Sequence, residues 1–482
     1  MKQSLIVTLI TALISVSALS IAQENTKPGY AIVVSGDTLK DEKWSEVVTA
    51  LKAKYKDQYK VSVIGWSGSV IASVKTLREV QPKYICFVAP WKEANKEFVQ
   101  ACHVLTRKLD EDPYTDAIWA VLTGFDASDA LRIIAAPALT VDSIAAGTGV
   151  SLKYFDSGIW YSESDKNRYA VKESGKEPVI HNDGPDDTTK AIAEAIGKND
   201  LFITSGHASQ RDWAIGYSYR NGRFVSQDGQ LYGITSTGDK FPINLENSKI
   251  HLASGNCLIG QIDGKDCMAL ALIHTGGFNT MIGYLEPTWF GYMGWGIQDY
   301  YVEQPGRFTV AEAFFANNQA IAFHLERLLP GYGSINTQEE ADALKEKYEK
   351  LSDSDKHFFQ GLSFDHNKVA IYGDPAWQTA LKTQDSGWKQ ELTSEAVEGN
   401  KTQWTLTITP LKGAESFKLV TANGSQRGGR PIFQFLPTKV GKAEIADGNP
   451  LNAVVTDNFI LLPASGGLKI DEPTVLKFTT EN

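Results

Sequence analysis

The chain contains few cysteines for its length, and this scarcity excludes one class of protein. Only four cysteines occur in 482 residues, at Cys86, Cys102, Cys257 and Cys267. Disulfide-stabilised scaffolds are short and dense in cysteine, so the chain is not one of them. If one cysteine is a free nucleophile, at most one disulfide can form. Cys86 with Cys102 is then the more natural pair, although spacing alone does not decide it.

The sequence also lacks an excess of basic residues and a long apolar segment. Its net charge is −10 without a basic stripe, so we expect no nucleic-acid partner. The apolar run Leu5–Leu19 is shorter than the ~20 residues of a membrane-spanning helix, which makes a membrane anchor the weaker alternative. Lys2 before it and Ser20–Gln23 after it are typical of a secretory signal peptide. We predict that residues 1–22 are cleaved and that the mature protein is secreted or periplasmic, with no membrane span.

Several common catalytic and cofactor motifs are missing. We find no Gly-x-Ser-x-Gly elbow of a serine hydrolase. The segment Gly147–Gly149 lacks the rest of a dinucleotide fingerprint, and we expect no cofactor. A zinc site remains an alternative, but its candidate ligands lack the spacing of known zinc motifs. These candidates are His251, Cys257, Cys267 and His274.

The sequence contains the alternating pattern of an α/β protein. Apolar strand segments such as Tyr30–Gly36 and Tyr84–Val88 are separated by helical periodicity, as in Asp41–Tyr55. Such alternation predicts a mostly parallel sheet flanked by helices on both faces. The pattern starts again near Tyr154, which predicts two α/β subdomains, over residues 23–153 and 154–384.

The last hundred residues follow a different pattern. After about Thr383 the helical periodicity stops, and segments such as Trp404–Ile408 alternate with period two. About 100 residues of short strands without helices fit a β-sandwich of immunoglobulin type. We therefore predict a C-terminal immunoglobulin-like domain over residues 385–482.

Two segments with the same construction each end in a reactive side chain. Leu201–Gly206 is an apolar strand ending in small residues before His207, and Ile250–Asn256 precedes Cys257 in the same way. Residues just past the carboxyl ends of parallel strands line the ligand crevice of such sheets. If the two strands are neighbours, the imidazole lies beside the thiol and can activate it. Because both residues follow strands of the same construction, we favour a functional pair over the alternative, in which the cysteine is merely buried and the histidine is unrelated to it.

Three blocks together resemble a known family. The segments Ile203–His207 and Ala253–Cys257 resemble the His and Cys motifs of gingipain-type cysteine peptidases, in the caspase–gingipain clan. Val369–Pro375 is similar to the strand and turn near the end of that catalytic domain. The resemblance covers about residues 160 to 380 and extends more loosely to the N-terminal region. It implies a caspase-like sheet, a following β-sandwich and a secreted cysteine endopeptidase acting on protein or peptide substrates.

The resemblance assigns catalytic roles to residues of this sequence. Cys257 would be the nucleophile, and His207 would protonate the leaving amine. Glu163 is the candidate that orients His207, with Asp165 as the alternative. Backbone groups would hold the oxyanion and aromatic side chains would line the substrate pocket. These are Gly206, Ala208 and Asn256 for the oxyanion, and Trp289, Trp213 and Tyr284 for the substrate.

The sequence departs from the family in two respects. Ala208 follows the histidine where the family has glycine, which tolerates more backbone conformations. An acidic residue for binding a basic substrate side chain is not identifiable, since Asp212, Asp299 and Glu286 are better explained as structural. These departures keep open a catalytically silent relative that binds peptide or glycan in an aromatic cleft. That cleft would use Trp213, Tyr217, Trp289, Tyr292 and Trp295.

Overall fold

The computed structural model describes most of the chain after the predicted signal peptide, which itself lies outside the described residues. The described ranges are 27–247, 249–334, 338–384, 387–411, 420–422, 425–427, 429–449, 451–463 and 468–481. The helices are α1 (Gly36–Lys40), α2 (Glu42–Tyr55), α3 (Val74–Val80), α4 (Lys96–Thr106), α5 (Ala127–Ala135), α6 (Thr189–Lys198), α7 (Met268–His274), α8 (Tyr292–Tyr301), α9 (Val310–Leu328), α10 (Gln338–Glu349) and α11 (Asp353–Asp365). Short 3₁₀ turns lie at Val70–Ser73, Tyr332–Ser334 and Ala446–Gly448.

The strands fall into one large sheet and several small ones. Those before residue 300 are β1 (Gly29–Ser35), β2 (Lys60–Trp66), β3 (Tyr84–Val88), β4 (Ile118–Leu122), β5 (Leu139–Val141), β6 (Ser143–Gly147), β7 (Ser157–Tyr161), β8 (Tyr169–Lys172), β9 (Val179–His181), β10 (Leu201–Gly206), β11 (Asp212–Ala214), β12 (Arg223–Gln227), β13 (Gln230–Ile234), β14 (Lys240–Ile243), β15 (Lys249–Asn256) and β16 (Phe278–Tyr284). Those after it are β17 (Val369–Tyr372), β18 (Thr379–Leu381), β19 (Trp388–Val397), β20 (Lys401–Pro410), β21 (Val420–Ala422), β22 (Ser425–Arg427), β23 (Ile432–Phe435), β24 (Ala443–Ile445), β25 (Val454–Val455), β26 (Phe459–Leu462) and β27 (Thr474–Glu481).

Twelve strands form one continuous sheet, in the order β2-β1-β3-β4-β17-β16-β15-β10-β6-β7-β8-β9. Strands β2, β1, β3 and β4 are mutually parallel, and β17 pairs with β4 at one residue pair, Tyr372 with Val121; we call these five strands the first half-sheet. The strands β16, β15, β10, β6 and β7 are also mutually parallel and form the second half-sheet. The halves meet at the antiparallel pair β17–β16. The predicted α/β class with a large, mostly parallel sheet is confirmed.

Local sequence explains why these elements form. All five residues of β3 are buried, as expected for a strand covered by helices on both faces. In α2 the apolar stripe that includes Trp44, Val47 and Leu51 faces the core. The Asp41 side chain caps this helix by accepting the N–H groups of Lys43 and Trp44. Element type therefore follows from periodicity and capping in this region.

The strand order crosses the predicted boundary at residues 153 and 154. Strand β6 precedes that boundary but lies in the second half-sheet, beside β10. Strand β17 comes after it but pairs with β4 of the first half-sheet. The two α/β regions therefore share one sheet, because apolar strand segments do not specify their neighbours.

Beyond residue 387, two antiparallel sheets pack around a shared core. The sheet β19-β20-β27-β24 and the sheet β23-β26-β25 contribute buried side chains such as Leu406, Phe478 and Ile460. The opposite side of the second sheet joins the main core through Phe433 and Phe459. This predicted change from α/β to antiparallel strands is confirmed.

Polar contacts fix this C-terminal region to α8. The Tyr300 hydroxyl donates to the Pro431 carbonyl at 2.7 Å. The Arg430 guanidinium lies 3.2 Å from the Asp299 carboxylate, and both side chains are buried. Within the described ranges, none of the helices combines the length and the apolar character needed to cross a bilayer.

Candidate active site

The predicted site lies where two neighbouring strands of the second half-sheet end. Strands β10 and β15 are adjacent and parallel, with Ser205 opposite Gly255 and Gly206 opposite Asn256. His207 and Cys257 each follow their strand by one residue. Both residues therefore lie at the same edge of the sheet, which confirms the predicted placement.

Asn256 joins the two strand ends. Its side chain is fully buried, accepts a hydrogen bond from the Thr204 hydroxyl at 2.5 Å and donates to the Gly206 carbonyl at 3.2 Å. Thr204 Oγ1 also lies 2.9 Å from Nε2 of His251. Because the Thr204 hydrogen is directed at Asn256, the His251 Nε2–H is the donor to Thr204. Burial lowers the pKa of His251 to about 3, so this imidazole stays neutral.

Cys257 occupies a tight turn after β15. Its side chain is partly exposed, and the Thr288 N–H donates to Sγ at 3.2 Å. Leu258 has φ +61°, a left-handed conformation that residues with a side chain rarely adopt. Such strained conformations cluster at functional sites, where the surrounding structure holds them in place. The Leu258 N–H donates to the Glu286 carbonyl at 3.2 Å, which ties this turn to the segment after β16.

The other three cysteines are inaccessible. Cys86, Cys102 and Cys267 are buried, and all four cysteines are free thiols. The Cys86–Cys102 disulfide, which the sequence left open, is therefore not formed in this structure. Burial raises the pKa of Cys267 to about 12 and those of Cys86 and Cys102 well above the usual range. Cys257 is thus distinguished from the others by its exposure.

Glu286 holds the segment that contacts the cysteine. Its carboxylate lies 3.1 Å from the Lys96 ammonium and 3.5 Å from that of Lys368. Partial burial acts against ionisation, but the hydrogen bond from Lys96 and the two positive charges lower the pKa of Glu286 overall. Sequence reasoning assigned Glu286 a structural role but missed the contact of Thr288 with the thiol, because a backbone donor leaves no sequence signal.

His207 is exposed and its ring stacks on Tyr217. The two ring centroids lie 4.7 Å apart with an interplanar angle of 24°. In the described part of the chain, no hydrogen bond joins the His207 imidazole to Cys257 Sγ. Catalytic hydrogen bonds are often long in unliganded sites and shorten when substrate binds. The stacked Tyr217 was foreseen only as a member of an aromatic cluster.

Glu163 contacts the segment that stacks on His207 through its backbone carbonyl and not through its carboxylate. That carbonyl accepts the N–H groups of Tyr217 and Ser218, which holds the stacking ring in position. The Glu163 carboxylate accepts the Gly149 N–H at 3.1 Å. Within the described residues it makes no hydrogen bond with His207, so a direct orienting role has no support in this geometry. The alternative, Asp165, is exposed and pairs with Arg168 at 3.1 Å.

Ala208, at the position where gingipain-type peptidases have glycine, adopts no strained backbone conformation. It is bridged to Trp213 through two neighbouring hydrogen bonds, from Ser209 N–H to Asp212 O and from Ala214 N–H to His207 O. In such a pair the N–H of the central residue points away from the partner strand. Gly206 has φ +94°, whereas Ala208 is not among the residues with positive φ. The position that needs glycine is therefore 206.

Two of the three predicted substrate-contacting side chains are buried. Trp213 is 1 % exposed, and its indole N–H donates to the Ser205 carbonyl at 3.0 Å. Tyr284 is 0 % exposed, and its hydroxyl donates to Asp365 at 3.0 Å. Both pack in the core and cannot line a substrate pocket, which corrects that prediction. Trp289 is 68 % exposed and remains a candidate.

The three acidic residues near the motifs are all engaged. Asp212 accepts the Ser209 hydroxyl and lies 4.0 Å from Arg223. Asp299 pairs with Arg430, and Glu286 pairs with two lysines. Their predicted structural role is supported by these contacts.

The residues considered for zinc are not brought together. His274 Nδ1 lies 3.0 Å from the Asp129 carboxylate, and Cys267 is buried at the start of α7. Among the described histidines, cysteines and acidic residues, one group has ligand atoms within 4.8 Å of one another. It consists of Asp110, Asp112 and Asp116 and shares no residue with the zinc candidates.

We compared the chain with protein-family models, with curated proteins and with solved structures, and none of the three comparisons found a match. Its function must therefore be inferred from the geometry of its own residues.

Proposed function

We propose that this chain is an exported cysteine endopeptidase of the caspase–gingipain kind, with a caspase-like sheet and a C-terminal immunoglobulin-like sandwich. One observation carries the proposal. The partly exposed cysteine among four lies one residue past a strand end, and the neighbouring parallel strand end presents a histidine. A thiol and an imidazole at adjacent strand ends are the parts that nucleophilic catalysis needs. The order and spacing of the three motif blocks support the same family.

The proposed reaction uses both side chains in two steps. The Cys257 thiolate attacks the scissile carbonyl carbon, forming a C–S bond and an oxyanion. The C–N bond then breaks, and the His207 imidazolium gives its proton to the leaving amine. Neutral His207 takes a proton from water, whose oxygen attacks the thioester. The product carboxylic acid leaves, and the cysteine–histidine pair is regenerated.

Backbone groups around the pair would support this chemistry. The Ala208 N–H points away from β11 and is a candidate oxyanion donor, together with the Cys257 N–H. Loss of one such donor typically costs ~10²–10³-fold in rate. The Thr288 N–H would stabilise the thiolate before attack, because a hydrogen bond to a charged form favours that form.

A peptide-library digest tests the proposal. Wild type is compared with Cys257→Ala and His207→Ala, and Cys267→Ala serves as the control because it removes a buried thiol. We expect wild type and the control to give the same cleavage products, and both site variants to give none above background. Identical digests from wild type and Cys257→Ala would exclude a cysteine peptidase.

A catalytically silent binding protein is the second candidate. It is favoured by the absence, among the described contacts, of a hydrogen bond between His207 and Cys257, and by the exposed rings of Trp289 and Tyr217. In that case the library is not cut, but peptides or glycans bind wild type. Loss of that binding in Trp289→Ala would then place the ligand at the same site.

Export is proposed from the N-terminal segment alone. Expression of the full chain with its first 22 residues in a secreting host, followed by N-terminal sequencing of the exported protein, tests it. We expect the exported chain to begin near residue 23, whereas a retained N-terminus would contradict cleavage.

A further inference from the structure

We infer that the site selects peptides with a large apolar or aromatic side chain beside the scissile bond, bound against Trp289. This inference rests on the proposed peptidase function and adds the substrate class. Three features support it: the placement of Trp289, the exposed ring of Tyr217 beside His207, and the pairing of the nearby charges.

Trp289 is held close to the nucleophile and yet faces solvent. It follows Thr288, whose N–H contacts Cys257 Sγ at 3.2 Å. Consecutive Cα atoms are ~3.8 Å apart, so the backbone of Trp289 lies within a few ångströms of the thiol region. The indole is nevertheless 68 % exposed. An exposed tryptophan at a reactive centre is a ready apolar surface for a ligand.

The segment that carries Trp289 is anchored on both sides. Before it, Glu286 is bound to Lys96 and Lys368. After it, the Phe290 ring packs on α11, with its centroid 6.0 Å from that of Phe364. The backbone on either side of Trp289 is therefore fixed, and the indole is presented to solvent from a stable position.

Tyr217 provides a second aromatic surface beside His207. One face of its ring stacks on the imidazole, and the side chain as a whole is 55 % exposed. Its backbone is held by the carbonyl of Glu163. One exposed aromatic ring therefore stacks on His207, and a second exposed aromatic residue follows the residue whose N–H contacts Cys257.

The charged groups around the pair already have partners. The carboxylates of Glu286, Asp212 and Glu163 are bonded to lysines, to a hydroxyl and to a backbone N–H, respectively. The nearby ammonium groups, Lys96 and Lys368, share Glu286. A basic or acidic substrate side chain would therefore lose water and compete with these existing contacts for a counter-charge, which is unfavourable. An apolar side chain has no such cost.

Fluorogenic peptides that differ only in the residue before the scissile bond test this inference. Four peptides carry Phe, Ala, Arg or Asp at that position. We expect kcat/KM to be highest for the Phe peptide, about 10- to 100-fold above the Ala peptide, as apolar pockets typically discriminate. Trp289→Ala should lower the Phe value about tenfold and leave the Ala value within about twofold. Ile180→Ala, an exposed apolar residue on the far edge strand β9, is the control and should change neither.

The substrate inference and the peptidase proposal fail in different ways. The substrate class is overturned if the enzyme prefers the Arg or Asp peptide, or if Trp289→Ala lowers kcat/KM equally for all four peptides. Either result leaves the peptidase proposal intact. If no peptide is cut, Phe and Arg chloromethyl ketones are compared for covalent labelling of Cys257. Faster labelling by the Phe reagent supports the substrate class, and equal labelling overturns it. Failure of both reagents and of iodoacetamide to label Cys257 overturns the site itself.

Discussion

The two half-sheets are built alike, but their carboxyl ends differ. In the first half-sheet a carboxylate at this edge is engaged by two hydroxyl groups, since Ser35 and Thr38 both donate to Glu93 Oε1 at 2.7 Å. In the second half-sheet the corresponding positions carry His207 and Cys257, which leave their reactive atoms accessible. Both half-sheets have carboxyl-terminal strand ends where a ligand could bind, but a catalytic site also requires reactive side chains just past those ends.

One cysteine from each half-sheet shows the same difference between the interior of a strand and the position just past its end. Cys86 lies inside β3, fully buried, and burial raises the pKa of its thiol well above the usual range. Cys257 lies one residue beyond β15, partly exposed, with a backbone N–H on its sulfur. The same side chain is thus inert in one half-sheet and available in the other, because of its position relative to the strand end.

The largest expected effect is the difference in labelling between these two thiols. Iodoacetamide should modify Cys257 in the native protein, while Cys86 reacts only through unfolding. With an unfolding free energy of about 5 kcal/mol or more, labelling of Cys86 should be slower by at least about 10³-fold. Mass spectrometry of the labelled peptides gives both rates, and urea should bring them together. Comparable labelling rates for Cys86 and Cys257 in the native protein would contradict the difference in thiol accessibility between the half-sheets.

The second prediction concerns Glu286, which positions the segment contacting the thiol. Glu286→Gln should slow labelling of Cys257 on the order of tenfold, since small displacements at a reactive centre have large effects on rate. Stability should change by less than about 1 kcal/mol, because the lost ion pairs are partly exposed. Asp457→Asn is the matched control, as its pair with Lys439 at 2.8 Å has similar exposure. An equal decrease in both variants would mean that Glu286 has no specific role.

The third prediction separates the two small residues beside His207. Gly206→Ala should cost about 1–3 kcal/mol in unfolding free energy, because φ +94° is strained for any residue with a side chain. Ala208→Gly should be nearly neutral for peptidase activity, since Ala208 has no positive φ. Urea unfolding and kcat/KM of the two variants give the comparison. A large gain in activity from Ala208→Gly would show that the alanine at this position limits catalysis.

The fourth prediction is a pH dependence of the free energy of unfolding that arises at the amino-terminal end of the first half-sheet. Asp116 precedes β4, and burial, together with the charge of Asp110, raises its pKa to about 9. The folded state then binds more protons than the unfolded state between about pH 4 and 9, so the free energy of unfolding falls as pH rises through this range. Asp116→Asn should reduce that slope and stabilise the protein relative to wild type more at pH 8 than at pH 5. Urea unfolding at both pH values tests this, and parallel slopes would contradict it.

Much of the element order was predictable, because strands and helices here follow their periodicity. The placement of His207 and Cys257 was also predictable, since both extend strands that end in small residues. The sheet β11-β14 between them was missed, because its short strands carry no long apolar segment. The burial of Trp213 and Tyr284 and the contact of Thr288 with the thiol depend on tertiary packing. No local pattern in the sequence reports such contacts.

The antiparallel junction β17–β16 has a consequence for the order of folding. Strand β17 occupies the centre of the large sheet, yet it follows its neighbour β4 by roughly 250 residues of chain. At a synthesis rate of ~5–20 residues per second, the ribosome delivers this strand tens of seconds after its partner. Until then the edges of β4 and β16 stay unpaired and open to association with other chains. A chain in which β17 has not yet docked would therefore expose two unpaired strand edges in the middle of the future sheet.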